Sequence, residues 1–262
     1  MSIFAKIAPI VLLSLFFLLP AHAGDLKKID GWVIEQNEST CGNIRAEVTK
    51  GAVRIESLSA GYVILARAPR WQVMIYQPRD KSCIIRGLPL WKSYGLDFRG
   101  YSTVQQARKW PVEVLGVETM IGQKVIALTG PHGLPVLSTA KNPPSRGMFR
   151  LRHSLSPELA TYWVSRNIPT EENQLAVFAG LYYLPDLPGI PFCSIFRTTD
   201  NIRKKTLTTS KVYSAKLDSN DFIYPTGFQQ MKDIQSVCFG KDKQGLIQDL
   251  LEERDSSPKP HR

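Results

Sequence analysis

Between Gly31 and Arg86 the chain alternates apolar and polar residues with a period of two, and turn residues interrupt it at short intervals. Ile44, Ala46 and Val48 alternate with Arg45 and Glu47, Lys50-Gly51 turns, and Val53–Ile55 resumes the alternation. Ser59-Ala60-Gly61 turns again before Tyr62–Arg67, which is apolar on both parities and reads as a more central strand. Trp71, Val73 and Ile75 then share one face of the next strand, with Gln72, Met74 and Tyr76 on the other. Pro78-Arg79-Asp80 leads into Ser82–Arg86. Successive side chains of a strand point to opposite sides, so this pattern demands an antiparallel meander with at least one buried face.

The rest of the chain is mixed. Val112–Glu118 and Lys124–Leu128 form a second predicted hairpin, turned at Ile121-Gly122, and 130–147 reads as a long Pro- and Gly-rich loop. A short helix is expected around Ser102–Lys109. Ser156-Pro157-Glu158 carries a helix-start signal, although Tyr162-Trp163-Val164 fits a strand equally well. The clearest helix is Thr170–Tyr183: Thr170 can cap it, and Leu175, Phe178, Ala179 and Tyr182 fall on one face. Phe192–Arg197 and Thr206–Leu217 follow as a hairpin, then a helix over Lys243–Glu253 and a polar tail from Asp255. Strands, a helix, strands and a helix in this order make an α+β fold: a curved antiparallel sheet, a half-barrel, with helices covering its concave face.

The first 23 residues read as an address. Lys6 precedes an apolar run from Ile7 to Leu19, shorter than the roughly 20 residues of a spanning helix, and Ala21-His22-Ala23 offers a cleavage site after Ala23. The expected organisation is a signal peptide over 1–23, one domain over 24–254 and a disordered tail over 255–262, with no transmembrane segment in the mature chain. The mature protein is expected to be exported, periplasmic or extracellular. Four cysteines remain after cleavage, Cys41, Cys83, Cys193 and Cys238. An even number in an exported chain suggests two disulfides. Three pairings are possible, and nearest neighbours, Cys41 with Cys83 and Cys193 with Cys238, are favoured.

Signals of catalysis are sparse. His132 and His153 have no His, Cys or acid at metal-ligand spacing, and nucleophile-elbow and phosphate-loop motifs are missing. No enzyme, metal or cofactor is expected. The net charge of +10 clusters at Arg146–Arg152 and Arg203-Lys204-Lys205 and favours an anionic envelope surface. Nucleic acid is set aside because no binding motif accompanies the charge.

Several features resemble the exported lipoprotein-carrier clamshell family (LolA/LolB-like). They are the helix Thr170–Tyr183, Gly189-Ile190-Pro191 leading into a strand, the long strand Lys204–Leu217, and Phe222-Ile223-Tyr224-Pro225-Thr226-Gly227-Phe228. The meander with Ala68-Pro69-Arg70-Trp71 fits the same architecture. The resemblance implies a non-enzymatic protein that holds a lipid or other hydrophobic ligand in the groove of the curved sheet. Trp71, Val73 and Ile75, or Met74 and Tyr76, would line the groove, and Trp91 and Trp110 would guard its opening. Two other readings stand beside it. One is an envelope interaction or assembly protein with a packed core and a basic surface. The other is a secreted hydrolase with a polar site around His132 or His153.

Overall fold

The computed structural model describes residues 27–96, 108–132, 158–197 and 203–239. The expected leader with its cleavage site after Ala23, the segment around His153 and Arg146–Arg152, the helix expected over Lys243–Glu253 and the expected tail lie outside the described residues, as do most of the helix expected over 102–109 and of the loop expected over 130–147.

Six strands form the N-terminal meander: β1 (Lys28–Glu38), β2 (Gly42–Thr49), β3 (Ala52–Ser57), β4 (Val63–Arg67), β5 (Gln72–Gln77) and β6 (Ser82–Arg86). After helix α1 (Leu88–Tyr94) come β7 (Glu113–Met120), β8 (Gln123–His132) and β9 (Glu158–Ser165), then helix α2 (Glu172–Tyr182), β10 (Ile190–Arg197) and β11 (Arg203–Asp218). A 3₁₀ turn (Ser219–Phe222), the two-residue strand β12 (Gln229–Gln230) and helix α3 (Ile234–Cys238) complete the described chain. All twelve strands belong to one open sheet in the order β12-β6-β5-β4-β3-β2-β1-β11-β10-β9-β8-β7. The two meanders are sewn together by β1 and β11, which pair antiparallel from Lys28↔Asp218 to Glu38↔Leu207. The pairing is antiparallel throughout except at β12, which runs parallel to β6.

The strands of the first meander form where the alternation places them, because each has a face to bury. Lys50-Gly51 makes the β2–β3 turn, with Gly51 in the left-handed region at φ 79°, which side-chain-bearing residues avoid. Glu158–Ser165, which the sequence left open between helix and strand, is a strand, since β8 and β10 pair with it on both sides. Two local expectations are corrected. Residues 130–132 continue β8 rather than opening a loop, so His132 stands on a strand opposite Glu158. Glu171, not Thr170, caps α2: its side chain takes the Gln174 N–H while the Gln174 side chain accepts from Glu171 N at 2.8 Å. Helix α1 was not among the predicted elements; its Pro89 stands in the first helical turn, where a missing N–H costs nothing.

The helices all pack on one face of the sheet, called inner here. Its core gathers Ile34, Val48, Ile55, Ile64, Val73 and Ile75 from the first meander, Leu128, Tyr162, Phe192 and Leu207 from the second, and Trp91, Phe178 and Val237 from the helices. A smaller core on the outer face joins Val33, Val63, Leu65, Met74 and Tyr76 to Phe222.

Candidate functional site: a groove on the outer face of the second meander

Of the residues read as ligand-lining, Trp71, Val73, Ile75 and Trp91 stand in the inner core, all at or below 7% exposure. Met74 and Tyr76 lie in the outer core, and Trp110 is half-buried. Trp91 is wedged between α1 and α2. Its indole N–H donates to the Ala176 and Val177 carbonyls at 3.2 and 3.3 Å, and a Cβ on Gly180 would run into the ring. Polar ties then fasten α2 to the sheet. Gln174 Nε2 donates to Thr49 O and Ala52 O at 2.8 and 2.7 Å. Tyr182 Oη donates to Gln36 Oε1 at 2.6 Å, and Gln36 Nε2 donates to Pro191 O and Thr209 Oγ1 at 2.7 and 2.9 Å. Burial pushes the Tyr182 hydroxyl well above its ordinary range, so it stays a donor. Lifting α2 would strand these buried groups, each costing about 1–3 kcal/mol. The cavity left beside α2, lined by Leu175, Phe178 and Leu187, holds about 10 Å³. That is about the space of one water probe, too little for an acyl chain.

The outer face differs between the two meanders. Over β3–β5 it is roofed by the segment after β11. Phe222 is buried there, Phe228 meets Tyr76 edge to face at 5.4 Å, and Tyr224 Oη donates to Gln72 O at 2.6 Å while accepting from Arg67 N at 3.2 Å. Its charges are paired: Glu47 bridges Arg45 and Arg54 at 3.0 and 3.4 Å, and Arg54 reaches Glu56 at 2.9 Å.

Over β7–β11 the strand register decides what faces out. Leu128, Tyr162, Ser194 and Leu207 are cross-strand neighbours in a row facing the inner core. The alternate row, Thr129, Thr161, Ile195 and Lys205, therefore faces outward. Together with Leu115, Glu118, Trp163, Arg197 and Arg203, the first three of that row line a cavity of about 390 Å³. Trp163 forms its floor and is oriented by its N–H, which donates to Glu118 Oε2 at 3.0 Å. Leu115 is well exposed on the edge strand β7, at a bulge that leaves it outside the pairing with β8. Thr129 Oγ1 is committed to Ala160 O at 3.1 Å. Arg197 and Arg203 face each other across the β10–β11 pair, are exposed, and have no acid partner among the described residues. The arrangement is chemically simple: an aromatic and aliphatic floor with two guanidinium groups at one end. It suits a molecule with an apolar body and an anionic head.

The sequence singled out Trp163 only as part of an undecided segment and Arg203 only as part of a basic cluster. Their convergence depends on β7, β9, β10 and β11, whose separations along the chain hide it. Among the described residues, no group of His, Cys, Asp and Glu could hold a metal ion, and no helix is long and apolar enough to cross a membrane. The four cysteines are free thiols. The Cys41–Cys83 pairing is overturned, because the two lie in cores on opposite faces of the sheet and β2 and β6 are four strand spacings apart, roughly 19 Å.

No protein-family model matches the chain, and no curated protein does. Solved structures do. An uncharacterized conserved protein from Thermus thermophilus is similar at a TM-score of 0.41 and 10% identity, over 77% of this chain and 89% of that one. The MucA/MucB complex of Pseudomonas aeruginosa is similar at 0.34 and 12%, over 77% of this chain and 57% of that one, so the chain spans little more than half of that length. A LolA superfamily protein from Nitrosomonas europaea is similar at 0.23 and 12%, over 76% of this chain and 91% of that one.

Proposed function

We propose that this chain is an exported, non-enzymatic protein of the cell envelope that binds an anionic amphiphile, a lipid or a lipid-modified partner, in the groove on the outer face of the second meander. The observation that carries the reading is the cavity of about 390 Å³, with Trp163, Leu115 and Ile195 as its floor and Arg197 and Arg203 at one end. Its size falls in the roughly 300–1,000 Å³ range of small-molecule sites. Each buried methylene contributes about 0.8 kcal/mol, so a short length of acyl chain on this floor gives measurable affinity. The leader over 1–23 supports the exported setting.

The test is native mass spectrometry of the mature protein with a lysophospholipid carrying a phosphate head, alongside a zwitterionic analogue of equal chain length. The expected result is one bound molecule, with tighter binding of the anionic probe and loss of binding in Trp163→Ala. Equal binding of both probes to wild type and variant would refute the groove as the site. Amino-terminal sequencing of the protein from cells is expected to begin at Gly24.

A second reading has its own observation. Burial of Trp71, Val73, Ile75 and Trp91 in the core shared by the sheet and the helices favours an interaction protein with a packed inner core, whose helix-side groove admits a ligand only if a helix moves. A cross-link between α2 and β3 that leaves probe binding intact would separate the two.

A further inference from the structure

Charges on the outer face are arranged differently in the two meanders. Over the first, acid and base stand side by side: Glu47 bridges Arg45 and Arg54, and Arg54 reaches Glu56 at 2.9 Å. Over the second, they are sorted by strand. The outward row of Thr129, Thr161, Ile195 and Lys205 begins on β7 at Glu113, the cross-strand partner of Thr129. Directly opposed residues share a face, so Glu113 points outward with Lys205. Glu118 stands on the same face, since its carboxylate accepts the Trp163 N–H at 3.0 Å. Strand β7 therefore brings two exposed acids to the outer face, while β10 and β11 bring Arg197, Arg203 and Lys205, exposed as well.

Glu113 and Lys205 lie four strand spacings apart, roughly 19 Å. An ion pair needs about 4 Å, and the separation also exceeds the Debye length of about 8 Å at physiological salt. Each wall thus keeps its own sign. Among the described residues, Glu113, Arg197, Arg203 and Lys205 have no ion-pair partner. Arg197 and Arg203 stand directly opposite each other, a like-charge pair that weighs against the sheet until an anion meets it. The floor between the walls carries Trp163, Ile195, Thr129 and Thr161.

We propose that this groove is specific for a two-headed amphiphile: an anion at the β10–β11 wall, an apolar body over Trp163 and Ile195, and a cation at the β7 wall beside Glu113 and Glu118. The specificity rests on the binding proposed above and adds the cationic end. Trp163 serves both heads of the site. Its ring is the floor, and its N–H holds Oε2 of Glu118, which leaves Oε1 for the cation. A ligand charged only at its anionic end leaves the acid wall unmatched, and one that is anionic at both ends is repelled there.

The test is calorimetric titration of the mature chain with two probes of one chain length, dodecyl phosphate and ω-aminododecyl phosphate. The amino probe is expected to bind about threefold more tightly at low salt, the effect of an exposed ion pair, and the difference should shrink as salt rises. Glu113→Gln with Glu118→Gln should abolish the difference between the probes. Glutamine at 118 keeps an oxygen for the Trp163 N–H, so the floor stays oriented. Glu113→Gln alone, at an exposed position, should remove part of the difference. Equal binding of both probes to wild type, or a difference that survives in the double variant, overturns the two-headed specificity and leaves the groove standing. Binding of neither probe to wild type overturns the groove, and the specificity with it.

Discussion

The outer face of this sheet meets two different ends. Over the first meander, Val33, Leu65, Met74 and Tyr76 are covered by Phe222, Tyr224 and Phe228 from the same chain, and Arg45, Glu47, Arg54 and Glu56 neutralise one another. Over the second meander, Trp163, Ile195 and Leu115 line a cavity, and Arg197 and Arg203 have no acid partner among the described residues. Both halves obey the same alternation and rest on the same inner core. The difference lies in the strap after β11, which crosses toward β3–β5 and away from β7–β9. Among the described residues, the outer face is thus covered by its own chain on one half and carries a cavity on the other.

The largest expected effect breaks the foundation common to both halves. Trp91→Ala removes a fully buried ring between α1 and α2 and should destabilise the protein by about 3–5 kcal/mol in chemical denaturation. A loss under about 1 kcal/mol would mean that the helices are not packed as described.

Next, the two halves should separate under truncation. Phe222→Ala is expected to cost about 3 kcal/mol of stability and leave amphiphile binding unchanged. Trp163→Ala should do the reverse, with a small change in stability and at least about a tenfold loss of affinity, or about 1.4 kcal/mol. Calorimetric titration and denaturation of both variants would show whether stability and binding divide along the β1–β11 seam.

Charge reversal sharpens the contrast further. Arg197→Glu with Arg203→Glu should weaken the anionic probe about tenfold at low salt, and the deficit should shrink as salt rises. Stability should stay within about 0.5 kcal/mol of wild type, because both side chains are exposed.

The smallest effect concerns the end of the strap. Hydrogen bonds from the Ser236 backbone and side chain hold the Asp233 carboxyl below its ordinary value. A group with a depressed folded-state pKa stabilises the fold above its unfolded pKa, about 3.9, and loses that contribution as pH falls through the folded value. Asp233→Asn should therefore cost about 1 kcal/mol or less at neutral pH, and the gap to wild type should close below about pH 4. Melting curves taken across pH 2–7 would check it; a gap that persists in acid would show that the charge is not involved.

The first meander was nearly complete in the sequence. Its strands, its Lys50-Gly51 turn and the segregation of Val73 from Met74 follow from period two and local turn chemistry, and both act over a few residues. The hairpin at Ile121-Gly122 and the body of α2 were legible for the same reason. What the alternation left open is which apolar face meets which partner. Trp71, Val73, Ile75 and Trp91 read as core from their apolar pattern and as groove lining only through the family resemblance, and their packing against the helices became visible only in the tertiary structure. Likewise Trp163, Ile195, Arg197 and Arg203 became neighbours only when β9, β10 and β11 paired side by side. The pattern of a single strand determines that it has two faces. Contacts between residues far apart in the chain decide which face is filled, which is roofed and which stays open.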